Sequence, residues 1–198
     1  MALKIAICGG IAVGKTTLGR RLADEMPNWQ FLEEKPQEVA FIQEFYMDKA
    51  RWAFHSRMGM LAYFLKRTVF LESSMPTVLQ DRCLHELIVF AEVQRKLGTM
   101  RVDEFELYCN IFSQLCELQP APDIVIRCTC SPKTSLQRVA SRNREFEIGV
   151  QEAYIRHVEE QYDEWQSRNK NDLCFIDVNT DHGVDTSDLL KVINRQKT

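Results

Sequence analysis

Four residues near the N-terminus have the types and spacing to hold a chain of phosphates. Gly9, Gly14, Lys15 and Thr16 fit G-x-x-x-x-G-K-[ST]. The loop Gly9, Gly10, Ile11, Ala12, Val13 and Gly14 must wrap a triphosphate so that successive backbone N–H groups face its oxygens. Glycine permits that approach because it has no Cβ in the way. A helix starting near Lys15 adds the positive end of its dipole. Lys15 is expected on the β- and γ-phosphates of ATP and the Thr16 hydroxyl on Mg²⁺, with Thr17 completing the ATP-binding set. Kinases, GTPases and ATPases share this loop, so it does not by itself name the reaction.

Three further groups of charged residues narrow the chemistry. Glu33 and Glu34 close a predicted strand. A carboxylate at the C-terminal end of a parallel strand lies beside the ligand crevice and can accept a proton from an alcohol. Taken alone, the pair also fits two solvated glutamates. Asp81 and Arg82 close another predicted strand, where they could orient Mg²⁺ and an anionic intermediate or form a structural ion pair. Arg138, Arg142 and Arg144 cluster ahead of Glu147 and Gly149. Arginine forks neutralise a transferring phosphoryl group, and such a segment, about 138–149, fits a lid over ATP. The alternative is a solvated basic helix end. Asn169 to Asp172 spell N-K-x-D, a guanine-reading motif in GTPases, but here the run precedes a strand and is expected to be a polar turn.

The elements that must position these groups alternate in type. Apolar runs predict strands at Leu3–Cys8, Trp29–Leu32, Thr77–Leu79, Ile124–Cys128 and Leu173–Val178. Helical spacing runs from about Phe41 to Leu71 with a break near Lys49, and recurs at Leu84–Ala91, Tyr108–Leu115, Ile155–Trp165 and Val184–Ile193. Ser131 and Pro132 read as N-cap and first helical residue. Alternation of this kind predicts α/β architecture, a parallel sheet covered on both faces, in one domain over residues 1–198.

Composition sets the outer bounds. The chain has 198 residues, 45% hydrophobic and 27% charged, with a formal net charge of -3. That balance argues against a nucleic-acid partner, and no apolar run is long enough for a membrane span. Seven scattered cysteines do not suggest a disulfide framework and are expected to be buried, reduced thiols of a cytoplasmic protein. Cys128 and Cys130 are expected on opposite faces of their strand.

Jointly, these motifs resemble the deoxyribonucleoside kinases, most closely the short bacterial and viral forms. The likeness runs from Lys4 to about Trp165. It rests on the phosphate loop, on Glu33-Glu34 followed by Phe45-Tyr46 and Arg51-Trp52-Ala53-Phe54-His55, on Asp81-Arg82-Cys83, and on the lid pattern Arg138, Arg142, Arg144, Glu147. The resemblance implies a P-loop kinase fold with a five-stranded parallel sheet and a helical lid. It implies phosphorylation of a deoxynucleoside 5′-hydroxyl by ATP and Mg²⁺, in nucleotide salvage, by a homodimer. Glu34 becomes the general base, with Arg82 and Lys15 catalytic. Tyr46 and Glu147 grip the sugar, Arg142 and Arg144 serve the phosphates, and Phe45 and Trp52 wall the cleft. Thr16 and Asp81 become the metal-side residues.

The departures bear on the substrate. The family's base-reading glutamine falls on Arg57, an arginine further along falls on Phe64, and an aspartate falls on Leu87. An arginine only donates, so Arg57 should favour a base edge rich in acceptors. A kinase acting on thymidylate or a modified deoxynucleotide is the rival enzyme reading, since Arg57 could hold an acceptor's phosphate. A nucleotide-binding module without turnover is the rival outside enzymes, and the presence of Lys15, Thr16, Glu34, Arg82 and the lid arginines speaks against it.

Overall fold

The structure, a computed structural model, describes residues 3–68 and 77–196. Its centre is a sheet of five strands: β1 (Leu3–Cys8), β2 (Trp29–Leu32), β3 (Thr77–Asp81), β4 (Ile124–Thr129) and β5 (Phe175–Asn179). Their order is β2-β3-β1-β4-β5, and every pairing is parallel. Parallel neighbours require crossover connections, which here are helices packed on both faces. The middle strands therefore bury both faces, and Ile5 to Cys8 have no exposure at all. Because β1 is flanked by β3 and β4, connections leave its C-terminal end in opposite directions and open a crevice there.

One face of the sheet packs on α1 (Lys15–Glu25) and α8 (Thr186–Arg195) through Leu18, Leu22, Leu189 and Ile193. The other packs on α4 (Leu87–Lys96) and α7 (Glu152–Asn169) through Val89, Val93, Val158 and Trp165. A third apolar cluster joins α2 (Ile42–Met47), α3 (Lys49–Thr68), α4 and α5 (Val102–Leu118) around Phe45, Phe64, Leu87 and Tyr108. The expected break near Lys49 is the α2–α3 junction at Asp48. The expected end of that helix at Leu71 lies outside the described residues. Ser131 caps α6 (Pro132–Arg142), its Oγ accepting the Thr134 N–H at 3.2 Å. Asn169 to Asp172 form the expected turn, with the Asp172 and Leu173 N–H groups bonding the Asn169 carbonyl.

Two expectations need correction. Cys128 and Cys130 both lie in the α1/α8-side cluster, because side chains two apart in an extended chain share a face. Only four of the seven free thiols are buried, while Cys109, Cys116 and Cys174 are half-buried. Among the described residues no helix is long and apolar enough to cross a membrane.

Candidate active site

The C-terminal ends of β1, β2 and β3 carry the charged groups singled out above. β1 runs into the glycine loop. Gly9 has φ +142°, and a Cβ there would sit 2.3 Å from the Cys128 carbonyl oxygen, so only glycine fits. Gly14, at φ 91°, caps α1 in the left-handed region. The Gly9 N–H does not face a ligand: it donates to Glu86 Oε2 at 3.3 Å, which removes Gly9 from the expected phosphate-facing amides. Gly10 is backed by the Glu159 carboxylate, and a Cβ on it would meet Glu159 Oε1 at 2.1 Å. Ile11, Ala12, Gly14, Lys15, Thr16 and Thr17 line the cleft above. Val13 is buried in the α1/α8-side cluster.

Lys15 is only 7% exposed, and its Nζ donates to the Gly10 carbonyl at 2.6 Å. Burial, then Arg82, lowers its pKa, against opposing pulls from Asp81, Glu34 and Glu86. The Thr16 hydroxyl donates to Asp81 Oδ2. Asp81 Oδ1 is buried without a hydrogen-bond partner among the described residues. Burial raises the Asp81 pKa although Lys15 pulls the other way. Mg²⁺ takes one or two protein oxygens and fills its shell with water and phosphate. A hydroxyl and a carboxylate in contact, one carboxylate oxygen orphaned, fit that demand.

The two adjacent glutamates have different surroundings. Glu33 is bidentate with Arg20, at 2.9 and 2.6 Å, on a partly exposed edge. Glu34 accepts from Arg82 Nε at 3.0 Å, with both side chains about nine-tenths buried. Burial pushes the Glu34 pKa up, yet Arg82, Lys15 and Arg67 together outweigh it and hold the carboxyl below its ordinary value. Glu34 is therefore an ionised carboxylate, able to accept a proton. Asp81 and Arg82 do not pair with each other, which disposes of the local ion pair.

Arg82 occupies the left-handed region at φ 64°, a strained conformation for a residue with a Cβ. Its guanidinium spans Glu34, the Gly9 carbonyl at 3.0 Å and the Tyr162 hydroxyl at 2.7 Å. Arg67, from α3, ties down the strand ends by donating to the carbonyls of Leu32 at 2.6 Å and Asp81 at 3.1 Å.

Glu34, Arg82 and the loop open onto a cleft of about 560 Å³, a size that suits a small organic ligand. Phe45, Tyr46, Arg57, Phe90 and Tyr154 line it away from the loop. Arg57 is 4% exposed, and its guanidinium lies over Phe45 at 5.2 Å and Phe90 at 5.5 Å. One nitrogen donates to Ser56 Oγ at 3.0 Å, while Nε has no partner among the described residues. Tyr46 packs on Phe146, and burial raises its pKa. Trp52 does not wall the cleft: it stacks on Phe41 at 5.3 Å and packs against His55, on the flank of α3 away from Arg57. Phe90 supplies the second aromatic wall instead. Phe64 and Leu87 are buried in the helical cluster.

The lid residues close the other side. Arg138 donates to the Thr180 hydroxyl and carbonyl at 2.9 and 2.7 Å, while Thr180 bonds the Val13 carbonyl. Glu147 is held by Arg142 Nε at 2.6 Å and, more distantly, by Arg144 at 3.5 Å. Glu147 thus spends its oxygens on the lid arginines, although it lines the cleft beside Tyr46.

Phe90, Tyr154, Tyr162, Glu86 and Arg67 were not legible as site residues. The first three belong to apolar helical stripes that any core would show. Glu86 carried a usable signal, a carboxylate one position before a buried stripe. Arg67 carried none, because its partners are backbone carbonyls.

A model of the family described as deoxynucleoside kinase matches residues 5–198. A deoxyadenosine kinase of Dictyostelium discoideum is 28% identical, covering 97% of this chain and 78% of the relative. A deoxyadenosine/deoxycytidine kinase of Bacillus subtilis is also 28% identical, over 82% of this chain and 76% of its own length. The structure of a deoxyadenosine kinase from M. mycoides superposes with a TM-score of 0.83, at 24% identity and 98% coverage of each chain. That likeness shows the P-loop kinase fold expected from the motifs. With a family model spanning nearly its whole length, the chain belongs to the deoxynucleoside kinase family.

Proposed function

We propose that this kinase moves the γ-phosphoryl group of ATP to the 5′-hydroxyl of a deoxynucleoside held between Phe45, Phe90 and Arg57, with Glu34 as general base. One observation carries the reading. A buried, ionised carboxylate is clamped by a buried arginine at the strand ends, in the same cleft as the phosphate loop. Glu34 takes the hydroxyl proton as the oxygen attacks phosphorus and ADP departs. Arg82 fixes the Glu34 carboxylate and leaves guanidinium charge beside the reacting oxygens. Lys15, Arg138, Arg142 and Arg144 supply donors to the phosphates, and Tyr46 with Glu147 holds the sugar. Mg²⁺, held by Thr16 and Asp81, would neutralise charge on the β- and γ-phosphates.

Arg57 supports a base with two adjacent acceptors, because all its N–H groups donate. Guanine offers O6 and N7 on one edge, whereas adenine puts an amino donor beside N7. The aromatic bed around Arg57 suits a planar base better than a phosphate, which calls for several converging donors. A homodimer resident in the cytoplasm belongs to the same proposal, and sedimentation of the purified chain tests its assembly. The central test is ADP release from ATP and Mg²⁺ with each common deoxynucleoside and each monophosphate. Release with a nucleoside, deoxyguanosine above deoxyadenosine, supports the reading. Release with monophosphates alone overturns it.

A further inference from the structure

Behind the glycine loop, on the side away from the cleft, lies a buried polar chain with no assigned task. Glu86, in the short turn before α4, has no exposure. Tyr162, from the middle of α7, donates its hydroxyl proton to Glu86 Oε2 at 2.5 Å and accepts from the Arg82 guanidinium at 2.7 Å. That direction is forced, since arginine can only donate and an ionised carboxylate can only accept. The same Glu86 oxygen accepts the Gly9 N–H at 3.3 Å, and Glu86 Oε1 accepts from Arg82 at 3.4 Å. Three donors from three segments thus converge on one carboxylate: the first loop amide, the arginine that grips Glu34, and a helix that follows the lid.

We infer that Glu86 and Tyr162 are positioning residues for catalysis, holding Arg82 and the start of the phosphate loop in one arrangement. This rests on the roles given above to Arg82 and Glu34. The geometry calls for such a device. Arg82 sits in a strained backbone conformation, and strain of this kind persists only where surrounding contacts over-determine it. Phe90 lies under the guanidinium at 4.7 Å and blocks the other direction of swing. A guanidinium bonded at both ends, to Glu34 and to Tyr162, cannot rotate toward either without losing a buried hydrogen bond.

The chain should also respond to protons. Every hydrogen bond to Glu86 needs it as an acceptor. Burial, opposed by Arg82, pushes its pKa up to about 7. Besides Arg82, the titratable groups around it are Cys83 beyond β3, Cys8 and Cys128 at the ends of β1 and β4, Lys15 of the loop, and Tyr162 from α7. Burial raises the Cys8, Cys128 and Tyr162 pKa values, which keeps these groups neutral across this range, whereas the contact with Cys8 lowers Cys83 to about 5, so that Cys83 loses its proton below the Glu86 range. Once protonated, the Glu86 carboxyl must turn an O–H toward one of its own donors and release it.

The test uses the full chain with ATP, Mg²⁺ and its best nucleoside, comparing Glu86→Gln, Tyr162→Phe and Arg82→Lys. Tyr162→Phe keeps the ring and the packing, so folding is preserved even if Glu86→Gln is less stable. The expected result is a kcat lower by on the order of 10- to 100-fold in Tyr162→Phe, with KM for ATP changed far less. Wild-type kcat should fall on the acid side around pH 7, and Glu86→Gln should lose that limb. An unchanged acid limb in Glu86→Gln, or wild-type kcat in Tyr162→Phe, overturns the inference. If Arg82→Lys is crippled in that case, the inference alone fails. If Arg82→Lys is also fully active, the reading of Arg82 beneath it fails as well.

Discussion

Replacing Arg57 by glutamine should change which base is preferred while leaving the protein folded. The side chain is 4% exposed, its Nε has no partner among the described residues, and it rests on two aromatic rings. Losing two cation–π contacts costs about 0.5–2 kcal/mol each. Removing a buried charge with no acid partner among the described residues recovers several kcal/mol of desolvation, roughly offsetting that loss. The melting temperature should therefore move by no more than about 4 °C, since 1 kcal/mol shifts a chain of this size by roughly 2–4 °C. Specificity should move much further. A bidentate arginine contact discriminates between bases by about 1–3 kcal/mol, and at 1.36 kcal/mol per decade that is about 5- to 150-fold in kcat/KM. Glutamine both donates and accepts, which matches the adenine edge. The assay is kcat/KM for four deoxynucleosides and their monophosphates, wild type against Arg57→Gln. Deoxyguanosine should lose and deoxyadenosine gain relative to the others. An unchanged ranking, with overall rates scaled together, refutes the argument that Arg57 reads the acceptor.

Lys15→Ala should cut turnover by on the order of 10²-fold or more while circular dichroism stays native, since the variant removes a desolvated cation rather than a packing group; near-normal turnover would sink the phosphate-loop assignment. Glu34→Gln should lower kcat by about 10²-fold or more with ATP affinity little changed, whereas Glu33→Gln, which loosens only the exposed Arg20 pair, should stay within about twofold. The reverse pattern would move the base to Glu33. Gly9→Ala should fail to fold or lose nucleotide binding, read by thermal melting, because its Cβ meets the Cys128 carbonyl at 2.3 Å; a stable, active variant contradicts the loop geometry. The Glu34 pKa is lowered on folding, so its ion pairing adds stability above the unfolded value of about 4.3, and that stability is lost as pH falls through the folded value. Melting temperatures between about pH 6 and 3 should fall less steeply for Glu34→Gln than for wild type.

The parallel sheet and the loop were legible because their signals are local. Gly9, Gly14, Lys15 and Thr16 need each other at fixed spacing, and apolar runs such as Ile5–Cys8 have no other use in a chain this polar. Glu34 could be chosen over Glu33 only through family likeness, because the deciding fact is its partner Arg82, 48 positions away. Trp52 misled for a related reason. A helix can turn an aromatic toward the cleft or toward a neighbouring loop, and Phe41, in a left-handed turn at φ 62°, offered the closer stacking partner. Arg57 was singled out by its place five residues after Trp52, where the family resemblance puts a base-reading glutamine, and it lines the cleft. Its aromatic bed was not legible, because Phe90 comes from α4.

Helix α7 presents Tyr154 to the cleft, Glu159 to the back of Gly10 and Tyr162 to Arg82. Glu159 also receives the wholly buried Arg127, whose guanidinium lies 4.4 Å from the Tyr162 ring centroid. Three separate duties are therefore keyed to one rotational register. Inserting or deleting a single residue between Tyr154 and Glu159 would turn the remainder by about 100°, since 3.6 residues make a turn. Glu159 would leave the loop and Tyr162 would leave Arg82 together. The segment just before it, from Asn143 to Val150, is fixed by contacts of another kind, since Glu147 is buried against Arg142 and Arg144. Descendants of this chain, natural or engineered, should thus keep the spacing of Tyr154, Glu159 and Tyr162 intact.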